Sequence, residues 1–281
     1  FFLKGCEKSG IPVKEIEVNH ALKLEPNLNP NIKAAIVVPD ATFDPLKVIL
    51  SFLASAKVKG ADIRPFNEVT GFIAKKGEIV WDRITGKKYE IHADFVVNAT
   101  GAWANKVVSS LGINVPVKPS PGVMVSLERR ICNMVINRLN PPSDGDIVLS
   151  HRNTSVIGTT SWFIDDPDKV NIPKDHIRLL LKRGSEMLPI IKGMRIRSIY
   201  ASSRPLIKEG KTSRETSRSF KIIDHERDGL TGIVSVIGGK FTIARLMAEK
   251  TVDLVTDKLG LEVACETHLK KLLPYHYYFE G

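Results

Sequence analysis

The stretch "TGIVSVIGGKFTIARLMAEKTVDLV", residues 231 to 255, constrains the architecture more than any other part of the chain. An apolar, β-branched run from Ile233 to Ile237 meets Gly238 and Gly239, then Lys240, then a segment with helical spacing. Strand, glycine turn and helix in that order build α/β folds, and they present backbone N–H groups to a phosphate or an electron-rich ring. Alone the turn is ambiguous, because a Gly-Gly pair before a helix serves packing as often as binding. A second stretch, "FVVNATGAWANKVVSSLG" from Phe95, has the same plan. It reads as a buried strand from Phe95 to Val97, a tight turn from Asn98 to Gly101, and a helix.

Between these two stretches the pattern changes. Pro116, Pro119 and Pro121 interrupt the chain, and alternating runs follow ("GVMVSLE", "DIVLSH", "TSVIGTT") with one helical segment, "KDHIRLLLKRGSEMLPII". That is an antiparallel sheet with a helix on one face. The fold expected is therefore α/β plus α+β: a discontinuous Rossmann-like domain with an inserted antiparallel-sheet domain. Residues 37–115 and 219–260 form the nucleotide-binding part, 1–36 and 116–218 the second domain, and 261–281 a linker. Within the first part, Asp44 and Pro45 open a helix that Gly60 closes, and a hairpin turns at Thr85-Gly86. The polar stretch 208–219 reads as an exposed loop.

Composition excludes several classes. No apolar run reaches the roughly 18–20 residues that span a bilayer, and no signal peptide is visible. The three cysteines, Cys6, Cys132 and Cys265, are scattered, which argues against a disulfide framework or a metal motif and for a reducing, intracellular setting. The 41 Lys and Arg against 31 Asp and Glu leave a net charge of +10, which suits an anionic substrate or membrane surface as well as a merely basic exterior. Aromatics are 7%, and no basic run is interleaved with stacking residues, so nucleic acid is not expected.

The stretches "VPDATFDPLKV", "VVNATGAWAN", "MVINRLNPPSDGDIVLS", "VIGTTSWFID", "SSRPL", "DHERDGLTGIVSVIGGK" and "ARLMAEKTVDLV" span about residues 10 to 265. Together they resemble the FAD-dependent glycerol-3-phosphate dehydrogenases of the D-amino-acid-oxidase-like flavoprotein superfamily, and the Pro-Pro-Ser-Asp-Gly-Asp stretch is closer to the anaerobic, multi-subunit form. The resemblance implies oxidation of sn-glycerol 3-phosphate to dihydroxyacetone phosphate. FAD takes the hydride, and electrons pass to a membrane quinone or a partner subunit from a position on the cytoplasmic face. Two rivals stand beside this: a related flavin oxidase of a 2-hydroxy acid or amino acid, and a non-enzymatic basic module. Members of the family begin with a strand, a G-x-G-x-x-G turn and a helix; no such motif occurs here. The chain thus reads as a fragment, expected to lack bound FAD and activity and to expose a sheet edge beside Ile233 to Ile237.

The resemblance also assigns residues. Arg204, in "SSRPL", is placed at the substrate, where a guanidinium grips a phosphate dianion. Lys240 serves the phosphate or the flavin edge, and both are candidate catalytic residues. Thr160, in "IGTTS", is a substrate-side candidate, with a plain β-turn as the other reading. The FAD turns are Asn98, Ala99, Thr100, Gly101 and Trp103 on one side and Gly238, Gly239, Lys240, Phe241 and Thr242 on the other. The N–H groups from Gly239 to Thr242 and the helix dipole suit a reduced flavin; Thr242 reads alternatively as a helix cap and Trp103 as core. Met124 stands where aerobic members carry a histidine, so the base is open, with His151 and His225 as the remaining histidines near the motifs.

Overall fold

The computed structural model describes residues 2–73, 77–207 and 218–280. In chain order the elements are α1 (Phe2–Lys8), β1 (Lys14–Ile16), α2 (Val18–Leu24), β2 (Ala35–Val37), α3 (Pro45–Val58), β3 (Asn67–Ile73), β4 (Gly77–Asp82), β5 (Lys88–His92), β6 (Val96–Asn98), α4 (Ala104–Ser109), β7 (Val117–Leu127), β8 (Ile136–Asn137), β9 (Ile147–His151), β10 (Thr154–Gly158), α5 (Lys174–Met187), β11 (Ile196–Ile207), β12 (Phe220–Asp224), β13 (Ile233–Gly238) and α6 (Ala244–Leu259). They form two compact units, one of residues 2–42 and 120–203, the other of 43–119, 204–207 and 218–280.

The expected boundaries at 36, 115 and 218 thus fall at 42, 119 and 203. The prolines mark a change of pattern, whereas the long strands β7 and β11 carry the chain from one unit into the other. The expected loop at 208–219 lies, up to residue 217, outside the described residues.

In the first unit, β10 pairs antiparallel with both β7 and β9, and β9 with β8; the sheet order is β11-β7-β10-β9-β8. Helix α5 buries Leu180, Gly184 and Met187; Leu180 and Met187 join a core with Val123, Val125, Leu127, Val148 and Ile157. Glycine stands at 184 because a Cβ there would lie 3.0 Å from Ile157. Each fully buried aliphatic side chain contributes roughly 1.5–3 kcal/mol.

In the second unit, the Asp44 carboxylate accepts the Lys47 N–H at 3.3 Å, and Pro45 occupies the first turn of α3. Gly60, with φ 91°, lies just past the helix end. Strands β3, β4 and β5 form a meander whose last turn is held by Asp82 and Gly86 (φ 73°). A separate three-stranded sheet has the order β12-β13-β6. Two expectations fail in that sheet. Val97 is 43% exposed, so β6 is not a buried strand; it is the sheet's edge. Conversely the expected open edge along Ile233 to Ile237 is covered over Ile233–Ser235, where β6 pairs, with β12 lining the other side of β13. Residues 261–280, expected as a linker, belong to the second unit and are held to α3. The Leu273 N–H donates to Ser55 Oγ of α3 at 2.9 Å, and Lys47 lies 4.7 Å from the Tyr275 ring.

Candidate functional site

Strands β6 and β13 run parallel, with Val96 opposite Ile233 and Asn98 opposite Ser235. Both expected turns therefore leave the same end of neighbouring strands, the carboxyl end, where open α/β sheets hold their ligands. A cavity of about 370 Å³ lies elsewhere, lined by residues such as Asp94, Phe95, Gly232 and Ile233, at the strands' opposite end.

After β6 the chain turns through Asn98 to Gly101. Asn98 is buried and faces inward: its amide donates to the Ala104 carbonyl and to Ser235 Oγ, each at 3.0 Å. Its Oδ1 accepts the Thr100 hydroxyl at 2.6 Å and the Thr100 N–H at 3.4 Å. Asn98 thus holds the turn from behind, with no side-chain donor left over for a ligand. Ala99 and Thr100 are exposed, and Gly101 has φ 60° with nothing within 4 Å of the place its Cβ would take. Trp103 is 41% exposed, which removes its reading as core.

After β13 come Gly238 and Gly239, with φ 77° and 80°. The positive φ favours glycine at both. A Cβ would lie 2.4 Å from the Ser219 carbonyl oxygen at Gly238, and 2.4 Å from Met247 Sδ at Gly239. The Gly239 N–H donates to the Ser219 carbonyl at 2.9 Å, so it is not available to a ligand as expected. Lys240 is extended and exposed, and the 3-10 turn Phe241–Ile243 leads from it into α6. The first N–H groups of such a helical start have no intrahelical partner and form a local positive pole. Thr242 caps neither segment with its side chain. Phe241, also 41% exposed, stacks on Phe43 at 5.1 Å.

Arg204 lies in β11, half-buried, and belongs to the same unit as both turns. Thr160 is engaged inside the protein. It is fully buried in the other unit, where its Oγ1 accepts the Val123 N–H at 3.1 Å and bonds His176 Nδ1 at 3.0 Å. The motifs gave no sign of His176, whose ring also meets Trp162 edge-on at 4.8 Å. His225 is fully buried between Asp228 and Ser235, which rules it out as a base facing solvent or substrate. Among the described residues no group of three metal-ligating side chains occurs.

A family model described as FAD dependent oxidoreductase (DAO) matches residues 2–254. The chain belongs to that family. It is 37% identical over 283 residues to one subunit of the anaerobic glycerol-3-phosphate dehydrogenase of Haloferax volcanii, covering 94% of this chain and 48% of that protein. It is 35% identical over 275 residues to the corresponding subunit of the Escherichia coli K12 enzyme, covering 95% and 51%. The chain thus spans about half the length of the curated relatives it matches. Among solved structures, the Bacillus halodurans glycerol-3-phosphate dehydrogenase complexed with FAD superposes with a TM-score of 0.75 at 25% identity, over 92% of this chain and 54% of that one. The fold is that of the DAO oxidoreductases, a mixed α/β chain with several antiparallel sheets.

Proposed function

We propose that this chain supplies the flavin-ring half of a FAD-dependent dehydrogenase that oxidises sn-glycerol 3-phosphate to dihydroxyacetone phosphate. In this reading the unit of 43–119, 204–207 and 218–280 carries the flavin. The observation that carries it is the parallel pairing of β6 with β13, which sets the Asn98–Gly101 and Gly238–Thr242 turns side by side. The residues fit a flavin: Gly101 leaves open space at the first turn, and the helical start after Lys240 supplies N–H groups and positive charge at the second. Bound FAD supplies hydride acceptance. The protein's part is orientation and charge. Lys240 and the helix start favour negative charge at the ring edge, and Arg204 holds the phosphate dianion.

The proposed electron acceptor is a membrane quinone reached through partner subunits, consistent with relatives whose names make them one subunit of their enzyme. Among the described residues no helix is long and apolar enough to cross a membrane.

The test is the intact protein under anaerobic conditions. Its flavin absorbance should bleach on addition of sn-glycerol 3-phosphate. Bleaching by a 2-hydroxy acid or an amino acid, and not by the phosphate ester, would establish the related oxidase instead. A protein that takes up no flavin would reject both.

A further inference from the structure

A continuous hydrogen-bonded chain links a surface carboxylate to the turn after β6. Asp228 Oδ2 lies 2.8 Å from His225 Nδ1, and His225 Nε2 lies 2.8 Å from Ser235 Oγ. Ser235 Oγ then receives the Asn98 amide, and Asn98 Oδ1 receives Thr100. His225 and Ser235 are fully buried and Asn98 nearly so, while Asp228 is half exposed.

The direction of every link follows from the backbone. Asn98 cannot be flipped: its oxygen must face the Thr100 N–H and its amide the Ala104 carbonyl. The second amide hydrogen therefore goes to Ser235 Oγ, which acts as an acceptor there. Among the described residues the Ser235 hydroxyl hydrogen then has His225 Nε2 as its acceptor. An Nε2 that accepts carries no proton, so the imidazole hydrogen sits on Nδ1 and is donated to Asp228. The opposite tautomer would give Ser235 Oγ two donors and leave its own hydrogen without an acceptor in a buried place. The neighbouring charges Asp224 and Glu226 are engaged by Lys258, so Asp228 is the charged group in contact with the ring among the described residues.

We propose that His225 is a positioning residue for the Asn98–Gly101 turn: as the Nδ1–H tautomer it orients Ser235, which orients the Asn98 amide and so fixes the backbone of the turn. The inference rests on the proposed function only for what the turn meets, the flavin.

Three measurements test it, and two need no flavin. In ¹⁵N-histidine-labelled protein, His225 should show a protonated Nδ1 and a bare Nε2; a protonated Nε2 overturns the assignment. The Thr100 and Gly101 amide resonances should move in H225L and in S235A but stay near their wild-type positions in H225Q, whose Oε1 can accept the Ser235 hydrogen. Unmoved resonances in S235A and H225L overturn it, and S235A with the wild-type tautomer decides the matter where H225L does not fold. In the intact flavoprotein, H225L should raise the flavin Kd on the order of tenfold, the effect of one lost buried hydrogen bond, and H225Q less than about threefold. Moved amides with unchanged flavin affinity would remove His225 from the site. A wild-type protein without flavin would instead reject the proposed function, with the tautomer and amide shifts still deciding the polarity of the chain.

Discussion

Replacing Gly238 with alanine separates two reasons for a glycine that usually act together. At φ 77° an L-residue is in the left-handed region, which costs about 1–2 kcal/mol. The added Cβ would also lie 2.4 Å from the Ser219 carbonyl oxygen and 3.0 Å from Ile207 Cδ1, and backbone has little room to yield. Overpacking of this kind adds about 1–3 kcal/mol, so Gly238→Ala should cost roughly 2–5 kcal/mol in total. Gly101→Ala is the control, because it has φ 60° but nothing within 4 Å of the new methyl, leaving the backbone term alone. Thermal unfolding of the ligand-free chain by circular dichroism reads both, at about 2–4 °C per kcal/mol for a unit of this size. Gly238→Ala should melt several degrees below Gly101→Ala. Equal melting temperatures would show that the approach to Ser219 does not dictate glycine there, and the argument from close packing would be wrong.

Arg204→Ala in the intact enzyme should raise KM for sn-glycerol 3-phosphate far more than for glycerol, by the roughly 1.5–3 kcal/mol of a charge-assisted pair; equal effects on both would take Arg204 out of the phosphate site. Thr160→Val should destabilise the first unit by about 1–3 kcal/mol, because the Val123 N–H loses its acceptor, and Thr160→Ser should not; urea unfolding compares them. The Asp224 carboxyl is held below its ordinary value of 3.8, first by its hydrogen bond to Lys258. A depressed carboxyl contributes stability in full above that value and loses it as pH falls through the lowered one. Lys258→Ala should therefore flatten the decline of the urea midpoint below about pH 4. Burial pushes the Cys132 thiol up, so alkylation followed by mass spectrometry should label the more accessible Cys265 first.

Elements whose causes are local were legible from sequence. Asp44, Pro45 and Gly60 mark α3 by capping chemistry alone, and Thr85-Gly86 marks its hairpin. The family too was legible, because its turns and their order are written in short stretches. What escaped depends on partners far apart in the chain. Asn98 reads as a ligand residue until Ser235 and Ala104 take its amide. Thr160 reads as a substrate residue until β7 and α5 bring Val123 and His176 to its hydroxyl. Exposure of Val97 depends on strand order, which an apolar run cannot reveal. The one signal left unread was the spacing of His225 and Asp228 in "DHERDG", where a turn lets the two side chains meet.

The pairing of β6 with β13 joins residues 137 apart, as the Asn98–Ser235 contact spans that distance. The β9–β10 hairpin, in contrast, closes between His151 and Thr154. Loop closure over long separations is slow, and local pairings form first. On the ribosome β6 must wait for its neighbour while the intervening sheet already has its own strands and helix α5. The interrupted unit should therefore fold after the one that interrupts it. Arrested nascent chains ending at residue 230 should be protease-resistant across 120–203 and sensitive across 95–115, and early protection of the latter segment would reverse that order.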